Sequence, residues 1–128
     1  MKKVWMVLLA SIACMAAPSA MAGETELSQR FTTCMERADG VSIDMHACIA
    51  AEHERQDGRL NRAYKTLSAA LTPARKAQLV AGQRLWIQFR DANCAFYNDP
   101  DTGTMGNLEG VMCELQMTAD RSAELESF

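Results

Sequence analysis

The side chains best suited to chemistry are two histidines, His46 and His53, and the cysteines around them, Cys34 and Cys48. On a helix, positions 46 and 48 point to different faces, and His53 lies five residues beyond Cys48, so the four do not converge as zinc ligands. Thiol-redox catalysis lacks its spacing as well, because the chain has no C-x-x-C. Asn98 to Asn107, NDPDTGTMGN, is rich in Asp and Gly, but the twelve-residue calcium pattern and its closing Glu are out of register. Met35, Met45, Met105, Met112 and Met117 could serve copper only if several converged, and helical Met is usually core filler. The acids of Glu52-x-Glu54 are not paired across a cleft. Once the cysteines pair, no nucleophile stands beside a base. These residues point away from an enzyme, and no metal or cofactor is expected.

The cysteines have a second chemistry, set by compartment. Lys2 and Lys3 precede an apolar run from Val4 to Ala13, and Ala20-Met21-Ala22 has the small-x-small form of a signal-peptidase site. Residues 1–22 therefore read as a signal peptide, and 23–128 as one exported domain. The apolar run is too short to span a membrane. An alternative is a lipoprotein anchored at Cys14, since Ser11-Ile12-Ala13-Cys14 is a loose lipobox with Ser11 where Leu is usual. Cleavage at Ala22 leaves Cys34, Cys48, Cys94 and Cys113. An even count in a small exported chain implies two disulfides, with three connectivities open. It also leaves 11 basic against 16 acidic residues, a net charge of −5 in place of −3. That balance argues against nucleic acid, which needs a basic patch, and favours a cationic protein partner.

These residues must be positioned by helices. Leu79, Gln83, Trp86, Arg90 and Cys94 step by four, three, four and four along one stripe, with Leu85, Phe89 and Phe96 on the flank beside it. A first helix is expected over Glu24 to Arg37, ended by Asp39-Gly40. Ser42 is expected to cap a second, with Asp44 in its first turn and an apolar pattern through Ile49, Leu60, Tyr64, Leu67 and Leu71. Gly58 in its middle would let another helix come close. Thr72-Pro73 ends that helix and starts a third, running to about Tyr97. So short a connection predicts an antiparallel hairpin. After a surface loop, Leu108 to about Glu126 forms the fourth helix, with Val111, Leu115, Thr118, Ser122 and Leu125 on one stripe. The expected fold is all-α, a small four-helix domain built on a long antiparallel helix hairpin and stapled by two disulfides.

Cys34…Cys48, Asp57-x-x-Leu60-Asn61-x-x-Tyr64, Gln83-x-x-Trp86-x-x-Phe89-Arg90-Asp91-x-x-Cys94 and Cys113-x-x-x-x-Thr118-x-x-Arg121 together resemble the lysozyme inhibitor LprI-like family. The resemblance runs from about Cys34 to Leu125. It implies an exported, disulfide-bonded helical domain that binds lysozyme and inhibits it. The function expected is restraint of a lysozyme-type peptidoglycan-cleaving enzyme by binding. The alternative is a non-catalytic envelope structural or stress module with another periplasmic protein as partner. The Asn98–Asn107 loop carries no cation to plug a cleft, so rim contacts are expected at Glu52, Glu54, Asp99 and Asp101. Two structural expectations accompany this reading. Cys34–Cys48 and Cys94–Cys113 pair locally, tying each short helix to an end of the hairpin. Asp57 and Arg90 pair inside the domain, with Arg121 as a third member, because neither charge is cheaply buried alone.

Overall fold

The computed structural model describes residues 27–128, so the signal-peptide reading of residues 1–22 lies outside the described residues. Four α-helices follow one another: α1 (Gln29–Ala38), α2 (Ser42–Ala70), α3 (Pro73–Tyr97) and α4 (Thr104–Glu126), with one 3-10 turn at Pro100–Thr102 between α3 and α4. There is no strand among the described residues. Both disulfides form as local pairs, Cys34–Cys48 and Cys94–Cys113.

The ends of the helices follow from local chemistry. The Ser28 hydroxyl accepts from the Phe31 amide at 3.2 Å and starts α1. Asp39 ends it in the left-handed region (φ 44°), and Gly40 follows at φ 79°. Thr72 caps α3, with Pro73 at its first position. Three boundaries differ from expectation. α1 begins at Gln29 rather than Glu24, since Leu27 and Ser28 are not helical. Ser42 is the first residue of α2 rather than its cap; Val41 holds the cap position and offers no side-chain oxygen. α4 begins at Thr104 rather than Leu108. Its first turns press on the chain after α3, where Gly110 admits Asn98: a Cβ on that glycine would lie 2.8 Å from the Asn98 Cβ.

α4 is the centre of the fold. It packs most extensively on α2 and next on α3, while α1 packs on α2. The two long helices of the hairpin are thus held mainly through α4. One apolar cluster joins α1, α2 and α4 through Phe31, Ala38, Cys48, Ile49, Leu108 and Leu115. The other joins Leu60, Ala63 and Leu125, with Tyr64, Leu67, Leu79 and Trp86 packed against them. α4 comes close to α2 because its inner face is small at Thr118, Ala119 and Ser122, all at 0 % exposure. The Ser122 hydroxyl reaches the Gln56 carbonyl oxygen of α2 at 3.2 Å.

This arrangement overturns the Asp57–Arg90 pair. The buried stripe of α2 is Ile49, Glu52, Gln56, Leu60 and Ala63, stepping by three, four, four and three. Asp57 stands one residue off that stripe and is exposed, accepting a hydrogen bond from the Asn61 side chain at 3.0 Å. Arg90 instead pairs with its neighbour Asp91 at 2.8 Å, and α4 lies in its path to α2. Gly58 admits no close helix either, since a Cβ there would meet only the Arg62 guanidinium, at 3.4 Å.

Candidate functional site

Four groups of polar side chains stand out: one between α3 and α4, one between α1 and α2, one around Thr118 where α2, α3 and α4 meet, and the acids of the outer surface.

The first draws on the QRLWIQFRDANC segment. The buried face of α3 presents Gln83, Trp86, Arg90 and Cys94 to α4. The Trp86 ring is half-buried, with the Arg90 guanidinium 5.1 Å and the Arg121 guanidinium 5.9 Å from its centroid. Arg121 donates to Gln83 Oε1 at 3.0 Å and pairs with Glu124. The two arginine side chains are only 17 % and 12 % exposed. Each guanidinium therefore rests on aromatic surface, and each has a half-exposed carboxylate to balance it. Below them Cys94 closes the disulfide to Cys113, and the Asn93 amide approaches Cys113 and Met117 sulfurs at 3.5 Å. Arg121 was expected beside Asp57; it belongs to the tryptophan instead.

Phe89 stays outside this group, as do Arg84, Leu85, Ile87 and Gln88 of the same segment. It is 62 % exposed, beside Leu85 at 66 % and Phe96 at 83 %. In α2, Leu60 is buried and Tyr64 half-buried in the second cluster, whereas Asp57 and Asn61 face outward as a pair.

The second group centres on Glu52, expected on the rim and found at 0 % exposure. The Ser28 amide and hydroxyl donate to it at 2.9 and 2.6 Å, the Gln56 amide at 2.8 Å, and Arg55 Nε at 2.8 Å. Burial pushes the Glu52 carboxyl up, but these hydrogen bonds outweigh it and hold the group below its ordinary value of 4.5. One carboxylate thus ties the start of α1 to the middle of α2. Ser28, Arg55 and Gln56 carry no motif. Periodicity could have found Gln56, because positions 49, 52, 56, 60 and 63 trace one helical stripe whatever their polarity, whereas Ser28, the cap of α1, and the exposed Arg55 lie off it.

Thr118 resembles a catalytic residue without being one. Its Oγ1 lies 3.4 Å from His53 Nε2 and 3.4 Å from Arg90 Nη1. Its hydroxyl donates to the Glu114 carbonyl oxygen at 2.7 Å, which leaves it a lone pair and no proton for His53 in that arrangement. A base must be able to take the proton of its nucleophile, and here that proton is committed elsewhere. Thr118 is also fully buried. The triple contact His53–Thr118–Arg90 joins α2, α4 and α3.

Of the remaining acids, Glu54, Asp99 and Asp101 are exposed as expected. Asp99 also caps the 3-10 turn by accepting from the Asp101 amide at 2.9 Å. Among the described residues, no group of three or more His, Cys, Asp or Glu is placed to hold a metal ion. No helix among them is long and apolar enough to cross a membrane.

The interior polar groups are occupied in joining helices, and the disulfides mark a compartment outside the cytoplasm. This is a helical domain stapled by two disulfides. The model of the lysozyme inhibitor LprI family matches residues 34–125, and the chain belongs to that family. The family is one of inhibitors rather than catalysts, and it points to a protein partner such as lysozyme. No curated protein and no solved structure matches the chain.

Proposed function

We propose that the protein, exported by its first 22 residues and active as residues 23–128, binds a lysozyme-type peptidoglycan-cleaving enzyme and slows it. Membership of the LprI family over residues 34–125 carries the reading. The acidic balance supports it, because a cationic enzyme would be steered toward a net −5 surface. The periplasm or the extracellular space is the place of action, with anchoring through Cys14 as the alternative. Glu54, Asp99 and Asp101 are the acids offered to the partner's rim; Glu52 is withdrawn, since its carboxylate is consumed inside the fold.

The test is a cell-wall turbidity assay with a cationic c-type lysozyme, run beside an unrelated helical protein of equal net charge. Clearing slowed by this protein and not by the control is the expected result at physiological salt. Reversing Glu54, Asp99 and Asp101 should lower the association rate and its salt dependence more than it raises dissociation. Equal effects of the two proteins, or none from either, would sink the inhibitor reading and leave an envelope module that binds another periplasmic protein.

A further inference from the structure

The acidic net balance conceals a segregation of charge along the chain. From Gly58 to Arg90 there are seven arginines and lysines and no Asp or Glu, whereas from Asp91 to Asp120 there are six acids and no Lys or Arg. The fold holds the two sets apart. The first lies on the end of α2, the turn at Leu71 and Thr72, and α3; the second begins only where α3 nears its other end. At ~1.5 Å of rise per residue, Asp99 and Asp101 are roughly 40 Å from the hairpin turn.

The turn itself is bare of charge. Thr66 to Ala74 reads TLSAALTPA, and Ala69, Ala70, Pro73 and Ala74 are exposed. Cations stand directly behind it, Arg62 and Lys65 on α2 and Arg75 and Lys76 on α3. All four are exposed, and all are within about 15 Å of the turn along the helix axes. Among the described residues none of the four forms an ion pair. The acids at the close of α4, Glu124 and Glu126, are already taken by Arg121 and Arg59. Beside the turn a crevice of about 250 Å³ opens among Leu67, Leu71, Leu79 and Leu125, with Arg75 on its wall.

We infer that this end of the hairpin docks on an anionic lipid bilayer, with the turn among the headgroups and the acidic end of the domain pointing away. Interfacial segments settle about 5–10 Å into the boundary between headgroups and acyl chains. At that depth the uncharged turn leaves water, while Arg62, Lys65, Arg75 and Lys76 come level with the lipid phosphates. A soluble polyanion would need the cations alone and would make no use of an uncharged cap in front of them. The acids at the other end are repelled by the same surface, which fixes the orientation. The inserted side chains are mostly alanine, so the contact is reversible and weakened by salt. This docking does not rest on the inhibitor reading, and its test needs no lysozyme.

Residues 23–128, which contain the whole described fold, should co-sediment at low salt with vesicles of mixed phosphatidylglycerol and phosphatidylcholine and not with phosphatidylcholine alone. Arg75→Gln with Lys76→Gln should weaken that partition on the order of tenfold. Arg30→Gln with Arg37→Gln, an equal change of charge on α1, should alter it less than about twofold. Ala74→Trp should shift its added indole emission to the blue on the anionic vesicles only. Absence of binding to the anionic vesicles at low salt would overturn the inference. Equal losses from the two charge pairs would overturn it as well, since charge alone would then attract the protein. So would an Ala74→Trp emission unmoved in the bound state, which would leave the turn in water. Capture by dextran sulfate without partition to vesicles would assign the cations to a polyanion instead.

Discussion

The helices α2 and α3 are of similar length and joined by two residues, yet they are held in opposite ways. α2 is gripped on one side by α4 and at its start by α1, and its inner stripe includes two polar residues, Glu52 and Gln56, buried with partners. α3 touches its neighbours along a single stripe, and only Cys94 on it is fully buried. Its hold on α4 is made of a disulfide, a half-buried tryptophan between two arginines, and long polar side chains. A helix secured from two sides can bury a carboxylate and use it as a tie. One secured from one side keeps a whole face available, and on α3 that face is apolar. The firmly held region and the region with a bare apolar face are thus consecutive helices of the same hairpin.

The largest effect that would break this contrast is at the α2 tie. Glu52→Ala should cost about 3–5 kcal/mol in urea unfolding, since it strands the Ser28 and Gln56 donors in a buried site. Asp57→Ala, one turn on and exposed, should cost below about 1 kcal/mol. A similar loss for both would mean that burial on α2 is not what separates them. Because the folded Glu52 carboxyl sits below its ordinary 4.5, its stabilisation is present above that pH and drains away as pH falls through the folded value. Glu52→Gln should therefore show a shallower loss of stability between neutral pH and acid than the wild type.

A middle-sized effect sharpens the comparison at the disulfides. The two bridges close separations of 14 and 19 residues, so chain entropy assigns each a similar value of about 3 kcal/mol. Their local consequences should differ. Replacing Cys94 and Cys113 by Ala should raise amide exchange along α3 while α2 stays protected, because little else anchors α3. Replacing Cys34 and Cys48 should loosen α1 and leave α3 as it was. Uniform loss of protection in both variants would show that α3 is not separately held.

The smallest effect concerns a glycine. Gly58→Ala should stabilise the domain by up to about 1 kcal/mol, because the added methyl meets only the Arg62 side chain and helix propensity favours Ala. Destabilisation in thermal unfolding would reveal a close approach on the outer face of α2.

By itself the sequence determined what depends on neighbours along the chain. Thr72-Pro73 and Asp39-Gly40 set helix ends through caps and backbone preference. The apolar periods marked four helices, and the even cysteine count marked two disulfides, while the choice of Cys34–Cys48 and Cys94–Cys113 among three connectivities rests on which helix ends meet in the fold. The Gln83–Cys94 segment marked the stripe that does meet α4, and its pattern carried the family. Only the tertiary structure decided which polar residues went inside. Asp57 and Glu52 are both acids on α2 near its apolar stripe, and they exchanged their expected places because α4, not α3, covers α2. Hydrophobic spacing locates a helix face to within a residue or two, whereas a carboxylate's burial depends on partners supplied from elsewhere. For Glu52 those partners include Ser28, which lies 24 residues earlier in the chain.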